Sequence, residues 1–145
     1  MTLLDAYAVI AHAADEPAAG EVDDLLRDRV DRPVISAANV AEVVDRLARV
    51  AGLDLGDVLE RVLLLRNGGL EVLSVDAFDG AAAGAFRQNL YHRRDRPLSL
   101  GDCLALVSAL RYGHRLATAD PALASAAREI GVEVVPLPAT DGRRP

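Results

Sequence analysis

A unit that recurs along this chain limits its fold more than any other feature: a short apolar run, a polar residue suited to cap a helix, then a stretch with helical periodicity. Leu3-Leu4 leads to Asp5, Pro33-Val34-Ile35 leads to Ser36, and Leu116-Ala117-Thr118 leads through Ala119 to Asp120-Pro121. Apolar runs this short read as buried strands, and the segments after them read as helices. Strands alternating with helices over short connections require right-handed crossovers and a sheet covered on both faces. The fold class expected is α/β, a three-layer α/β/α sandwich with a mostly parallel central sheet.

Helices are predicted from about Tyr7 to Ala13 and from Ala18 to Arg29. A third runs from Ser36 until Gly52 breaks it, with Val40, Val43, Val44, Leu47 and Val50 at helical spacing. Asp54 caps a further helix that ends at Asn67-Gly68, residues suited to a left-handed C-cap. Leu70 to Val75 reads as a strand, Asp76 to about Leu90 as a helix, and Ser99 to Gly113 as another. Arg115 to Thr118 and Val132 to Val135 are the last strands, on either side of a helix opened by Pro121.

With 145 residues, 51% of them hydrophobic, the chain has the material for one core. We expect a single domain over residues 1–138 and a disordered Pro, Gly and Arg tail at 139–145. The start carries no basic residues and no apolar run approaches the ~20 residues that span a bilayer. One cysteine, Cys103, allows no internal disulfide, which fits the cytoplasm. A net charge of −6 excludes a protein that grips nucleic acid over its whole surface. Any contact with nucleic acid is therefore local, and Arg94 and Arg96, in a short arginine-rich stretch, are the candidates. Aromatic residues, at 3%, are too few for a base-stacking platform.

The residues that carry chemistry are acidic. Asp5 and Asp120 follow strands and fall at the carboxyl edge of a parallel sheet, where open α/β folds place their sites. Asp102 lies in the first turn of the helix after Ser99, and Glu42 in the second turn after Ser36. Carboxylates without cysteine or histidine among them suit a hard cation, magnesium or manganese rather than zinc. Each acid also has a structural use. Asp5 and Asp120 fit as N-caps, Asp102 as the third-position acid of a capping box, and Glu42 as an i, i+4 partner of Arg46. Periodicity alone places Glu42 on a solvated face, and a metal cleft is solvated too.

Four segments add a resemblance. Leu3-Leu4-Asp5-Ala6-Tyr7, Ser36-Ala37-Ala38-Asn39-Val40-Ala41-Glu42, Leu98-Ser99-Leu100-Gly101-Asp102-Cys103 and Leu116-Ala117-Thr118-Ala119-Asp120 resemble, in order, the signature segments of PIN-domain ribonucleases. The likeness is greatest to VapC-type toxins of VapBC toxin–antitoxin modules and runs from Leu3 to Val135. It implies an endoribonuclease that uses Mg2+ or Mn2+, with Asp5, Glu42, Asp102 and Asp120 as its acidic quartet. Asp5, Asp102 and Asp120 would be metal ligands, and Asn39 and Thr118 supporting polar residues. It also implies a cognate VapB-type antitoxin, an RNA substrate and a homodimer. Position 7 departs from the pattern, because Tyr7 stands where many members carry serine or threonine.

Two other readings compete. A phosphoaspartate hydrolase also places an aspartate after its first strand, but Asp5-Ala6-Tyr7 lacks a second aspartate two residues on, and the chain has no lysine. A non-catalytic α/β interaction module would keep the acids only as helix caps.

Overall fold

The computed structural model describes residues 1–145. Five strands alternate with seven helices: β1 (Thr2–Leu4), α1 (Ala6–Ala13), α2 (Ala19–Arg27), β2 (Pro33–Ser36), α3 (Ala37–Asp45), α4 (Leu55–Asn67), β3 (Glu71–Leu73), α5 (Ala77–Leu90), α6 (Leu100–Tyr112), β4 (Arg115–Thr118), α7 (Pro121–Glu129) and β5 (Val134–Pro136). The strands form one sheet in the order β3-β2-β1-β4-β5, and every neighbouring pair is parallel. The mostly parallel sheet read from the sequence is thus wholly parallel.

Alternation along the strands sorts side chains into two cores, since successive residues point to opposite faces. Leu3, Val34 and Leu116 pack with residues of α5, α6 and α7, among them Leu90, Leu106 and Leu123. Their successors Leu4, Ile35 and Ala117 pack on the other face with Val9, Val22, Val43 and Val58 of α1 to α4. Three layers follow. No helix is long and apolar enough to cross a membrane.

Several boundaries differ from the sequence reading. The third helix does not run evenly to Gly52: α3 gives way to a π-helical turn over Arg46–Val50. The left-handed residue after α4 is Gly69 (φ +117°) and not Gly68, which stays right-handed at φ −74° because its N–H still bonds to Leu64. With two glycines in succession the reversal falls on the second. Near the C-terminus, Arg144 bonds through both amino groups to Glu21 and also reaches the carbonyl of Pro136.

One ion-pair group ties α5 to α6. Asp76 and Asp79 form a reciprocal capping box at the start of α5, and Arg111 bonds Asp76 at 3.0 Å and Asp79 at 2.6 Å. Asp79 is 3% exposed, so its carboxylate depends on that guanidinium. Arg111→Met should lower unfolding stability by about 2 kcal/mol, less than the 3–5 of a fully buried pair because Arg111 is half exposed. Urea denaturation of the variant and the parent measures this.

Candidate active site

The strand order creates the site. From β1 the chain moves outward to β2 and β3, then returns to the other side of β1 for β4 and β5. The carboxyl ends of β1 and β4 therefore flank the point where the winding reverses, the position at which open α/β sheets bind ligands. Asp5 leaves β1 and Asp120 follows β4 by two residues, so both stand at that crevice.

Each aspartate is fixed by capping a helix. Asp5 is 4% exposed and Oδ1 accepts the Ala8 N–H at 2.8 Å, while the buried Thr118 hydroxyl supports its carboxyl. The Thr118 oxygen also accepts the Asp120 N–H at 3.0 Å, which links the two strand ends. Asp120 Oδ1 accepts N–H groups from Ala122 and Leu123 at the start of α7. Asp102 and Ser99 form a capping box on α6: Asp102 Oδ2 accepts the Ser99 N–H at 2.7 Å, and Ser99 Oγ accepts the Asp102 N–H at 3.0 Å. Only one oxygen of Asp102 and one of Asp120 is committed to these bonds, which leaves the other to face a ligand.

The acids sense one another. Burial raises Asp5 from an ordinary 3.8 to about 7, and the negative charges of Asp102 and Asp120 push in the same direction against the Thr118 and Ala8 bonds. Asp102 is also raised, by burial first and then by Asp120. Glu42 is raised by burial and by Asp102, with Arg46 opposing. All four sequence candidates thus belong to one electrostatic group, and Glu42 is half buried rather than on an open face. The i, i+4 use of Glu42 does not form as an ion pair; Arg46 acts on it only through space.

Asn39 and Thr118 are both buried, Thr118 against Asp5 and Asn39 near the Gly101 position that Glu42 also approaches. Tyr7 does not join the group, since its hydroxyl donates to the carbonyl of Pro138 at 3.1 Å. Arg96 is half buried and paired with Glu129 of α7, whereas Arg94 is exposed and lines a surface hollow with His92 and Arg93. The sequence reading missed Gly101. A Cβ at that position would lie 2.9 Å from Glu42 Oε2, so a side chain there would displace the Glu42 carboxylate where α6 meets α3. The legible signal was a glycine inside the first turn of a well-capped helix.

A family model for the PIN domain matches residues 2–129. The chain belongs to the PIN-domain family. Solved structures agree in fold. A toxin–antitoxin complex from Klebsiella pneumoniae aligns with a TM-score of 0.66 at 18% identity, covering 93% of this chain and 96% of its own. VapC20 of Mycobacterium tuberculosis, a toxin that cleaves the Sarcin-Ricin loop, aligns at 0.67 and 15% identity, covering 87% and 95%. FitAcB from Neisseria gonorrhoeae aligns at 0.63 and 24% identity, covering 92% and 96%. No curated protein sequence matches the chain.

The donor set of this PIN domain fits a hard divalent cation. It offers carboxylate oxygens only, it gathers like charges in a partly dry crevice, and it leaves oxygens of Asp102 and Asp120 uncommitted. No three acidic, histidine or cysteine side chains converge tightly enough to enclose an ion by themselves.

Proposed function

We propose that this PIN domain is a metal-dependent endoribonuclease, the VapC-type toxin of a toxin–antitoxin pair, working in the cytoplasm with Mg2+ or Mn2+. The observation that carries the reading is the group of mutually raised carboxylates, with Asp5 buried, at the reversal point of a PIN sheet. Asp5, Asp102 and Asp120 would hold the ion, with Glu42 as a further ligand or as the base that orients water. A divalent cation held there would neutralise charge on the phosphodiester and make the attacking water more acidic. Thr118 holds Asp5 and Asp120 in register through one hydroxyl, and Asn39 supports Glu42's side of the crevice.

The partners follow from the same reading. The structural neighbours from Klebsiella pneumoniae and Neisseria gonorrhoeae were solved as toxin–antitoxin and FitAcB assemblies, and we assign this chain a cognate VapB-type antitoxin and a homodimeric state. Helix α4 supports an apolar partner, since Leu55, Leu59, Leu63 and Leu64 are 46–62% exposed on it.

RNA contact is better placed on Arg94 than on Arg96, which Glu129 already engages. Arg94→Ala should raise KM about threefold with kcat unchanged and flatten the salt dependence of binding by about one unit of log–log slope. Arg96→Ala should leave both unchanged and cost at most about 1 kcal/mol of stability, as exposed pairs do.

The direct test is cleavage of a mixed pool of structured RNAs by the antitoxin-free protein with magnesium, with manganese and with EDTA. Cutting that needs the ion and disappears in Asp5→Asn supports the nuclease. A protein that cuts nothing and whose melting temperature ignores both ions would instead be the non-catalytic module. That second reading draws on the helix-capping bonds of all three aspartates, yet caps do not require a carboxyl as buried as Asp5. The phosphoaspartate reading has no lysine to call on.

A further inference from the structure

Asn39 Nδ2 is the one buried side-chain polar atom in the chain with no hydrogen-bond partner. Its orientation is fixed. Ser36 Oγ donates to Asn39 Oδ1 at 2.5 Å and accepts the Asn39 backbone N–H at 3.1 Å, so the carbonyl end of the amide faces Ser36 and the NH2 end faces away from it. Both residues are essentially inaccessible, at 1% and 0% exposure, so solvent does not satisfy the NH2 group. A buried donor left without an acceptor is costly.

Nδ2 lies 3.9 Å from the point where a Cβ of Gly101 would stand, and Glu42 Oε2 lies 2.9 Å from that same point. Asn39 and Glu42 are also i, i+3 neighbours on α3, which places both on one side of the helix. The space that Gly101 leaves open is therefore shared by an amide donor without a partner and a carboxylate oxygen. A glycine in the first turn of a capped helix otherwise has no conformational reason to be there, because Gly101 is not in the left-handed region and alanine is the better helix former.

We propose that Gly101 and Asn39 are positioning residues that together seat the Glu42 carboxylate at the acidic group. Gly101 does so by lacking a side chain, and Asn39 by holding Nδ2, the unpaired donor, on the side from which the carboxylate approaches. Ser36 sets the amide so that it can do so. The proposal rests on the nuclease reading for its kinetic consequence, but the seat itself is a property of the protein without metal or RNA.

The test combines a spectroscopic and a kinetic arm. In 15N-labelled, metal-free protein the Asn39 side-chain NH2 signals should show slowed hydrogen exchange and should move on Glu42→Gln and on Gly101→Ala. Signals indifferent to both substitutions overturn the seat whatever the enzyme does. In the kinetic arm, Gly101→Ala should keep or raise the melting temperature while kcat falls about 10–100-fold, the usual loss when the residues that orient a catalytic group are changed. Asn39→Ala should do the same with KM little changed. In a Glu42→Gln background neither should lower kcat further, because there would be no carboxylate left to seat. Losses that multiply in that background show that Gly101 and Asn39 act independently of Glu42 and overturn the proposal. A parent protein that cuts no RNA, but whose Asn39 signals respond as expected, sinks the nuclease reading and leaves the seat standing.

Discussion

Asp5→Asn is expected to abolish ion-dependent RNA cleavage and, in the absence of divalent ions at pH 8, to melt higher than the parent. Both effects have one cause. The Asp5 carboxyl is 4% exposed and lies among Asp102 and Asp120, so its ionised form is the costly one. Asparagine keeps the shape and can still accept the Ala8 N–H that starts α1, but carries no charge to hold a cation. Changes around a metal ligand cost roughly 10–100-fold, so loss of a direct ligand should cost on the order of 10³-fold in kcat/KM.

The pH dependence gives the sign. Asp5 titrates near 3.8 when unperturbed and near 7 in the fold. Below about pH 4 the group is protonated in both states and costs nothing. Between pH 4 and 7 the unfolded chain releases this proton while the folded chain keeps it, so the Asp5 contribution falls as pH rises. Above pH 7 the penalty is complete, and about three pH units amount to roughly 4 kcal/mol. Denaturation of the metal-free parent from pH 4 to 8 should show that loss, and Asp5→Asn should flatten it and melt roughly 10 °C higher at pH 8. Magnesium should restore stability to the parent and not to the variant. A variant less stable than the parent at pH 8 would mean that Asp5 serves the fold as a charged cap rather than the site as a ligand.

Much of this was legible in the sequence because the governing interactions are local. A capping residue at or just past the end of a strand stands at the carboxyl edge whatever the sheet order, and Asp5, Ser36 and Asp120 all obey that rule. The Ser99 and Asp102 capping box is likewise a four-residue pattern. What escaped depends on distant partners. Helical periodicity puts Glu42 on the outer face of α3, yet it is half buried, with Gly101 of α6 beside its carboxylate. The Tyr7 hydroxyl is turned by Pro138, 131 residues away, and Arg96 by Glu129, 33 residues away. The sheet order that makes β1 and β4 neighbours is a matter of packing, not of any single segment.

Asp102 separates capping from chemistry in a way that Asp5 does not, and it is the second variant with a large expected effect. Its Oδ2 closes the box with the Ser99 N–H, and its carboxyl feels the negative charge of Asp120. In Asp102→Asn the side-chain carbonyl still accepts from Ser99, so the box survives without the charge. In Asp102→Ala both are lost. Kcat/KM should therefore fall on the order of 10³-fold in both, on the same reasoning as for Asp5. Stability should separate them: Asp102→Asn close to the parent, Asp102→Ala lower by about 1 kcal/mol, the usual worth of a cap. Burial and Asp120 raise the carboxyl of Asp102 above its ordinary value, so removing the charge offsets any loss of cap strength in the asparagine variant at neutral pH. Activity that survives in Asp102→Asn but not in Asp102→Ala would assign Asp102 to holding α6 in place, and the ion would then rest on Asp5, Asp120 and Glu42.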